Sequence, residues 1–233
     1  MQSRKPKEMT DNVQIYITTL KKGVYELISK EINEITIYEV IQNDLVKSHL
    51  EAKESDKFQK YYFNMINNEQ SYFESTDFFK QFKKNYSLQG IDNDFLNKLE
   101  GSKEVILKQI RTDNLAQLYF DIFRKAEIKH GKGFREKDLG SFFAKLVHTF
   151  RPNEYCALDN PIKNYFGLKK ESFFIAFHVI SLEYKHWSSE NGNLLETTRK
   201  KLKQADKETN LNHEKITDLK LLDLIFWSKA NKK

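Results

Sequence analysis

Apolar residues recur at helical spacing along most of this chain. Val13, Tyr16, Ile17, Leu20, Val24, Leu27 and Ile28 form one face of an amphipathic helix, with Thr10 or Asp11 placed to cap it. Ile37, Val40, Ile41, Leu45 and Leu50 continue the pattern into a second helix. The stretch 58–88 is rich in aromatics, with lysines at 57, 60, 80, 83 and 84 among them. Interleaved aromatics and lysines can stack bases and track phosphates. The helical spacing of Phe78, Phe79 and Phe82 favours a buried stripe with lysines on the wet side.

A polar turn over 87–94 precedes a further apolar set from Phe95 to Ile110. A helix starting at Thr112 or Asp113 then carries Leu115, Leu118, Tyr119, Ile122 and Phe123. Residues 129–140 read as a glycine-rich loop, and Leu139–Phe150 as a helix with Phe142, Phe143, Leu146, Val147 and Phe150 on its apolar face. Pro152 and Pro161 bound a short crossing. Proline suits the first turn of a helix, so a helix starts near Pro161, capped by Asp159 or Asn160, and stops at Gly167. The helix beginning near Lys170 is apolar on most sides through Trp187, which makes it central. Residues 188–215 are polar, with Leu194, Leu195 and Leu202 as weak anchors. Thr217 or Asp218 caps a last helix through Trp227. The pattern predicts an all-α protein, divided into an N-terminal helical subdomain (1–90) and a helical core (91–233).

Composition narrows the function classes. Eight glycines and three prolines are too few turn residues for an all-β chain of 233 residues. The single Cys156 has no intrachain disulfide partner, which suits a reducing compartment. No run approaches the roughly 18 consecutive apolar residues of a membrane helix, and the N-terminus lacks an apolar signal core. A cytoplasmic protein without membrane contact is expected. The net charge of +6 favours an anionic partner, with nucleic acid first.

The familiar cofactor and nucleophile motifs are missing. The histidines at 49, 130, 148, 178, 186 and 213 contain no HExxH pair, and one cysteine cannot build a cysteine zinc site. No metal or cofactor is expected. Gly131-Lys132-Gly133 lacks the spacing of a phosphate-binding P-loop. Cys156 in an apolar context reads as packing. The segment 139–168 is the most informative. A carboxylate capping the helix at Asp159 is stabilised by backbone amides and the helix dipole. At the mouth of a cleft it could steady an oxocarbenium-like sugar or orient a water; away from one it is an ordinary cap.

Residues 129–168 resemble the core of the helix-hairpin-helix DNA glycosylase superfamily. Ala157-Leu158-Asp159 matches the apolar approach to that family's catalytic aspartate. Ile162, Lys163 and Gly167-Leu168 match the helix that follows, and Gly131-Lys132-Gly133 loosely matches the hairpin. The resemblance implies an orthogonal helical bundle, with Asp159 as the catalytic group of a base-excising enzyme. Where bifunctional members carry a Schiff-base lysine this chain has Ser141 and Phe142, which implies a monofunctional enzyme. Phe143, His148, Tyr155, Phe166 and Trp187 are the expected pocket residues. Lys132, Arg135, Lys137, Arg151 and Lys163 are the expected phosphate contacts. Two other readings stay open. One is a non-catalytic helical module binding nucleic acid or a protein. The other is a component of a larger assembly such as a bacterial defence (including phage defence) or toxin–antitoxin system.

Overall fold

The computed structural model describes residues 6–33, 61–65, 74–131, 133–205 and 216–231. The second helix expected over 37–50, along with Phe58, Tyr72 and Phe73, lies outside them. Helix α1 (Pro6–Glu31) begins ahead of Thr10 and Asp11, so neither caps it. Proline at its first turn needs no amide partner there. Only the second half of its apolar face is covered: Val24 and Ile28 are buried against the body, while Val13, Ile15 and Tyr16 are exposed.

Helix α2 (Phe78–Asn85) buries Phe78, Phe79 and Phe82, as the spacing predicts. A turn with positive φ at Ser87 and Gly90 leads to α3 (Asn93–Gly101), whose cap Asp92 accepts from the Phe95 amide. Then come α4 (Lys103–Arg111) and the single turn α5 (Leu115–Leu118). Thr112 and Asp113 do not start that helix. Thr112 ends α4, and Asp113 is left-handed at φ 59°. A π-helical turn, Tyr119–Phe123, follows directly and closes with the Arg124 amide donating to the Tyr119 carbonyl.

The expected glycine-rich loop is a β-hairpin. Strands β1 (Ala126–His130) and β2 (Gly133–Lys137) pair antiparallel from Ala126 opposite Lys137 to His130 opposite Gly133. Gly131 takes φ +60° at the turn, the sign that two-residue hairpin turns require. Burial of Ala126 and Ile128 supplies the period-2 pattern, too short to be read against the surrounding helical periodicity.

Helix α6 (Gly140–Phe150) is followed by an extended crossing, then α7 (Asn160–Tyr165), α8 (Phe173–Glu190), α9 (Gly192–Ala205) and α10 (Asp218–Ala230). Gly167 has φ +73°, and the Leu168 amide donates to the Lys163 carbonyl, so the chain leaves α7 where expected. Thr217 is the cap of α10. The polar stretch after Glu190 is helical as α9, held by buried Leu195 and Thr198. Helix α8 is central: it packs against α1, α6, α7, α9 and α10. One hydrophobic cluster runs from Val24 to Phe226. Among the described residues the fold is all-α apart from the hairpin, and no helix is long and apolar enough to cross a membrane.

Candidate functional site

The crossing between α6 and α7 is buried without being helical, so its backbone polar groups need side-chain partners. Three helices supply them. His148 of α6 donates from Nδ1 to the Tyr155 carbonyl at 2.7 Å. Ser181 of α8 accepts from the Cys156 amide at 3.0 Å. Asp223 of α10 accepts from the Ala157 amide at 2.5 Å. Thr217 adds a bond to the Pro152 carbonyl at 3.0 Å.

These contacts fix each polar group's state. A carbonyl can only accept, so His148 carries its proton on Nδ1, and Nε2 accepts from the Tyr62 hydroxyl at 2.7 Å. Burial, assisted by Lys220, pushes the imidazole down to about 3, leaving it neutral. Burial raises the Asp223 carboxyl to about 7 against the pull of Lys220. The Cys156 thiol is buried and pushed up by desolvation, with Ser181 donating to its sulfur. That is a packing cysteine, not an activated nucleophile.

The pinned crossing delivers Asp159, not Asn160, to the cap of α7, where Oδ1 accepts from the Ile162 amide at 3.1 Å. Its other oxygen takes no hydrogen bond among the described residues. Asp159 lines a cleft of about 680 Å³, walled by the turn after α2, the base of the hairpin and the N-terminal ends of α6 and α8. Tyr86 gives it aromatic surface, backed by the buried rings of Phe142 and Phe173; Arg124, Lys137, Lys163 and Lys170 give it positive charge, and the Lys145 amine lines it as well. A shallower depression of about 400 Å³ shares Ser87, Leu88 and Gln89 with it and carries Lys80, Lys83 and Lys84.

The expected site residues divide unevenly. Asp159, Lys137 and Lys163 line the cleft. Both lysines are already engaged: Lys137 donates to the Gln89 and Gly90 carbonyls, and Lys163 to those of Lys169 and Glu171. Arg135 is exposed on β2, and Lys132 lies outside the described residues. Arg151 sits apart from the cleft, ion-paired with Asp113 and Glu154 and laid over the Tyr155 ring. None of the five expected pocket residues lines the cleft. Phe143 is in the core between Tyr119 and Phe177; Phe166 packs on Phe226; Trp187 is buried in α8. Tyr155 stacks on Phe177, and its hydroxyl donates to Asp113. His148 holds the crossing. Apolar rings at core spacing are consumed by packing.

Comparison with protein-family models, curated proteins and solved structures gives no match. The cleft therefore has to be read from its own chemistry. Sequence reasoning missed Arg124, Lys145, Lys170 and the Lys220–Asp223 pair. Lys220 and Asp223 lie three apart in α10, and a buried charged pair within an apolar helix was the available signal. Lys145 lies four residues after Ser141, the one-turn spacing that brings their side chains together.

Proposed function

We propose that this protein binds DNA and excises a base by hydrolysing its N-glycosidic bond, with Asp159 as the group that stabilises the sugar cation. The observation that carries this reading is the conjunction at Asp159. A carboxylate with one oxygen held by a helix cap and the crossing beneath it pinned by three helices borders a polar, cation-lined cleft. Such rigidity suits electrostatic stabilisation, because fixed groups need no reorganisation as charge develops. The volume falls within the roughly 300–1,000 Å³ of small-molecule sites, and the half-buried Tyr86 offers ring surface to an extruded base. The lysine-bearing depression along α2 gives a DNA strand a path away from the cleft.

The alternative of a non-catalytic nucleic-acid module gains support from the cap itself, which uses one of the two carboxylate oxygens. The two readings separate in one experiment. The protein is incubated with genomic DNA carrying varied base modifications, and released bases and abasic sites are measured. Release by the wild type that is lost in Asp159→Asn supports excision. Salt-sensitive binding without release, unchanged in the variant, leaves a binding module.

A further inference from the structure

The cleft contains a second group poised for chemistry. Lys145 Nζ lies 2.7 Å from Ser141 Oγ, and both side chains line the cleft beside Asp159. Ser141 is the second residue of α6, whose N-terminus opens at the cleft, and Lys145 lies one turn further in. The serine hydroxyl and the lysine amine thus meet at the cleft wall. A 2.7 Å contact can carry a proton either way.

We propose that Ser141 and Lys145 form a proton relay that draws the proton from the water attacking the sugar carbon in this cleft, with Lys145 as the terminal base. The inference rests on the base-excision reading. As the bond from the sugar carbon to the base nitrogen breaks, its electron pair leaves with the base. The water oxygen bonds to the sugar carbon, the water proton passes to Ser141 Oγ, and the Ser141 hydroxyl proton passes to Lys145 Nζ. The resulting ammonium returns a proton to the departing base. Asp159 balances the transient positive charge on the sugar and needs no proton of its own.

The surroundings suit an amine that cycles between neutral and charged forms. Burial pushes Lys145 down, and Lys220 of α10 acts in the same direction. Asp159 and Cys156 of the crossing and Asp223 of α10 act in the opposite direction. His148, one turn along α6, is neutral. The opposing carboxylates stabilise the ammonium once formed, and burial favours its deprotonation afterwards.

The test measures single-turnover base release against pH for the wild type, Ser141→Ala and Lys145→Met, with duplex binding followed alongside. The methionine chain fills the lysine's space without a buried charge, and a cooperative urea transition checks that the variant folds. Expected is a loss of roughly 100-fold or more in both variants, with binding retained. The limb of the wild-type profile that rises with pH disappears in Lys145→Met. Wild-type rates and an unchanged limb in Lys145→Met would overturn the relay. So would borohydride capture of DNA on Lys145, since the amine would then attack carbon. If the wild type releases no base, the excision reading fails. The relay is then judged by competitive acetylation of the full chain across pH. Lys145 labelling at lower pH than the exposed lysines upholds an amine poised to accept a proton, and titration together with them overturns it.

Discussion

At Asp159 the cap and the proposed chemistry use different properties of one side chain. Capping needs an oxygen acceptor, which asparagine also supplies; steadying a sugar cation needs negative charge. Asp159→Asn should therefore unfold in urea within about 0.5 kcal/mol of the wild type, and Asp159→Ala about 1 kcal/mol below it. A similar separation is available behind the cleft. His148 is pushed from 6.5 down to about 3, so its contribution to stability is present above pH 6.5 and lost as pH falls toward 3. Asp223 is raised from 3.8 to about 7, so its contribution is present below pH 3.8 and lost as pH rises through 7. Between those limits the two oppose each other. His148→Gln should gain unfolding free energy on acidification through this window, and Asp223→Asn should lose it. Each slope should amount to a few kcal/mol across the window. Denaturant melts at stepped pH would show this, and parallel slopes in both variants would contradict it.

At the scale of elements, the cleft depends on how closely two helix ends approach. A Cβ added at Gly140 would lie 2.2 Å from Phe173 Cγ, at the point where α6 meets α8. The ring is buried and cannot swing aside. Gly140→Ala should cost roughly 1–3 kcal/mol, the range for overpacking, and it should part the two walls bearing Ser141 and Ser172. A denaturation midpoint equal to the wild type's would show that the helices can separate freely. The hairpin and the π-helical turn are tied to the same junction. The Tyr119 hydroxyl donates to Asp138, Asp138 accepts from the Gly140 amide, and the Leu139 amide donates to the Phe123 carbonyl. The helical spacing of Tyr119, Ile122 and Phe123 was legible in the sequence. The wide turn they adopt was not, because it is set by where β1 must begin.

At the scale of the whole molecule, the net charge of +6 acquires a direction. Arg124 and Lys170 are exposed at the cleft, and Lys80 and Lys84 are exposed along α2. If these four cations contact phosphates, the logarithm of DNA affinity should fall against the logarithm of salt with a slope of roughly −3 to −4. Charge-reversal at Lys170 and Lys84 together should lower that slope by about two. Fluorescence anisotropy of a labelled duplex over a salt series measures it, and an unaltered slope would place the DNA on another face.

The sequence by itself determined most of the helices, narrowed two of their caps to the pairs Asp159 or Asn160 and Thr217 or Asp218, and fixed the stop at Gly167 and the central place of α8. Those features depend on periodicity and on residues near one another in the chain. It also singled out Asp159, whose proline-bounded setting is local. The cleft's composition was decided by tertiary structure alone. Phe143, Phe166 and Trp187 carry the same apolar signal whether they line a pocket or fill a core, and packing sent them to the core. Lys137 and Lys163 look like free cations in sequence, yet nearby backbone carbonyls claim them. Lys145 looks like an ordinary surface charge, Lys220 and Asp223 like charges set in an apolar helix, and their meaning arises where α6, the crossing and α10 converge. A side chain's chemistry is set by its surroundings, and here those surroundings come from segments as far apart in the chain as Tyr62 and Lys220.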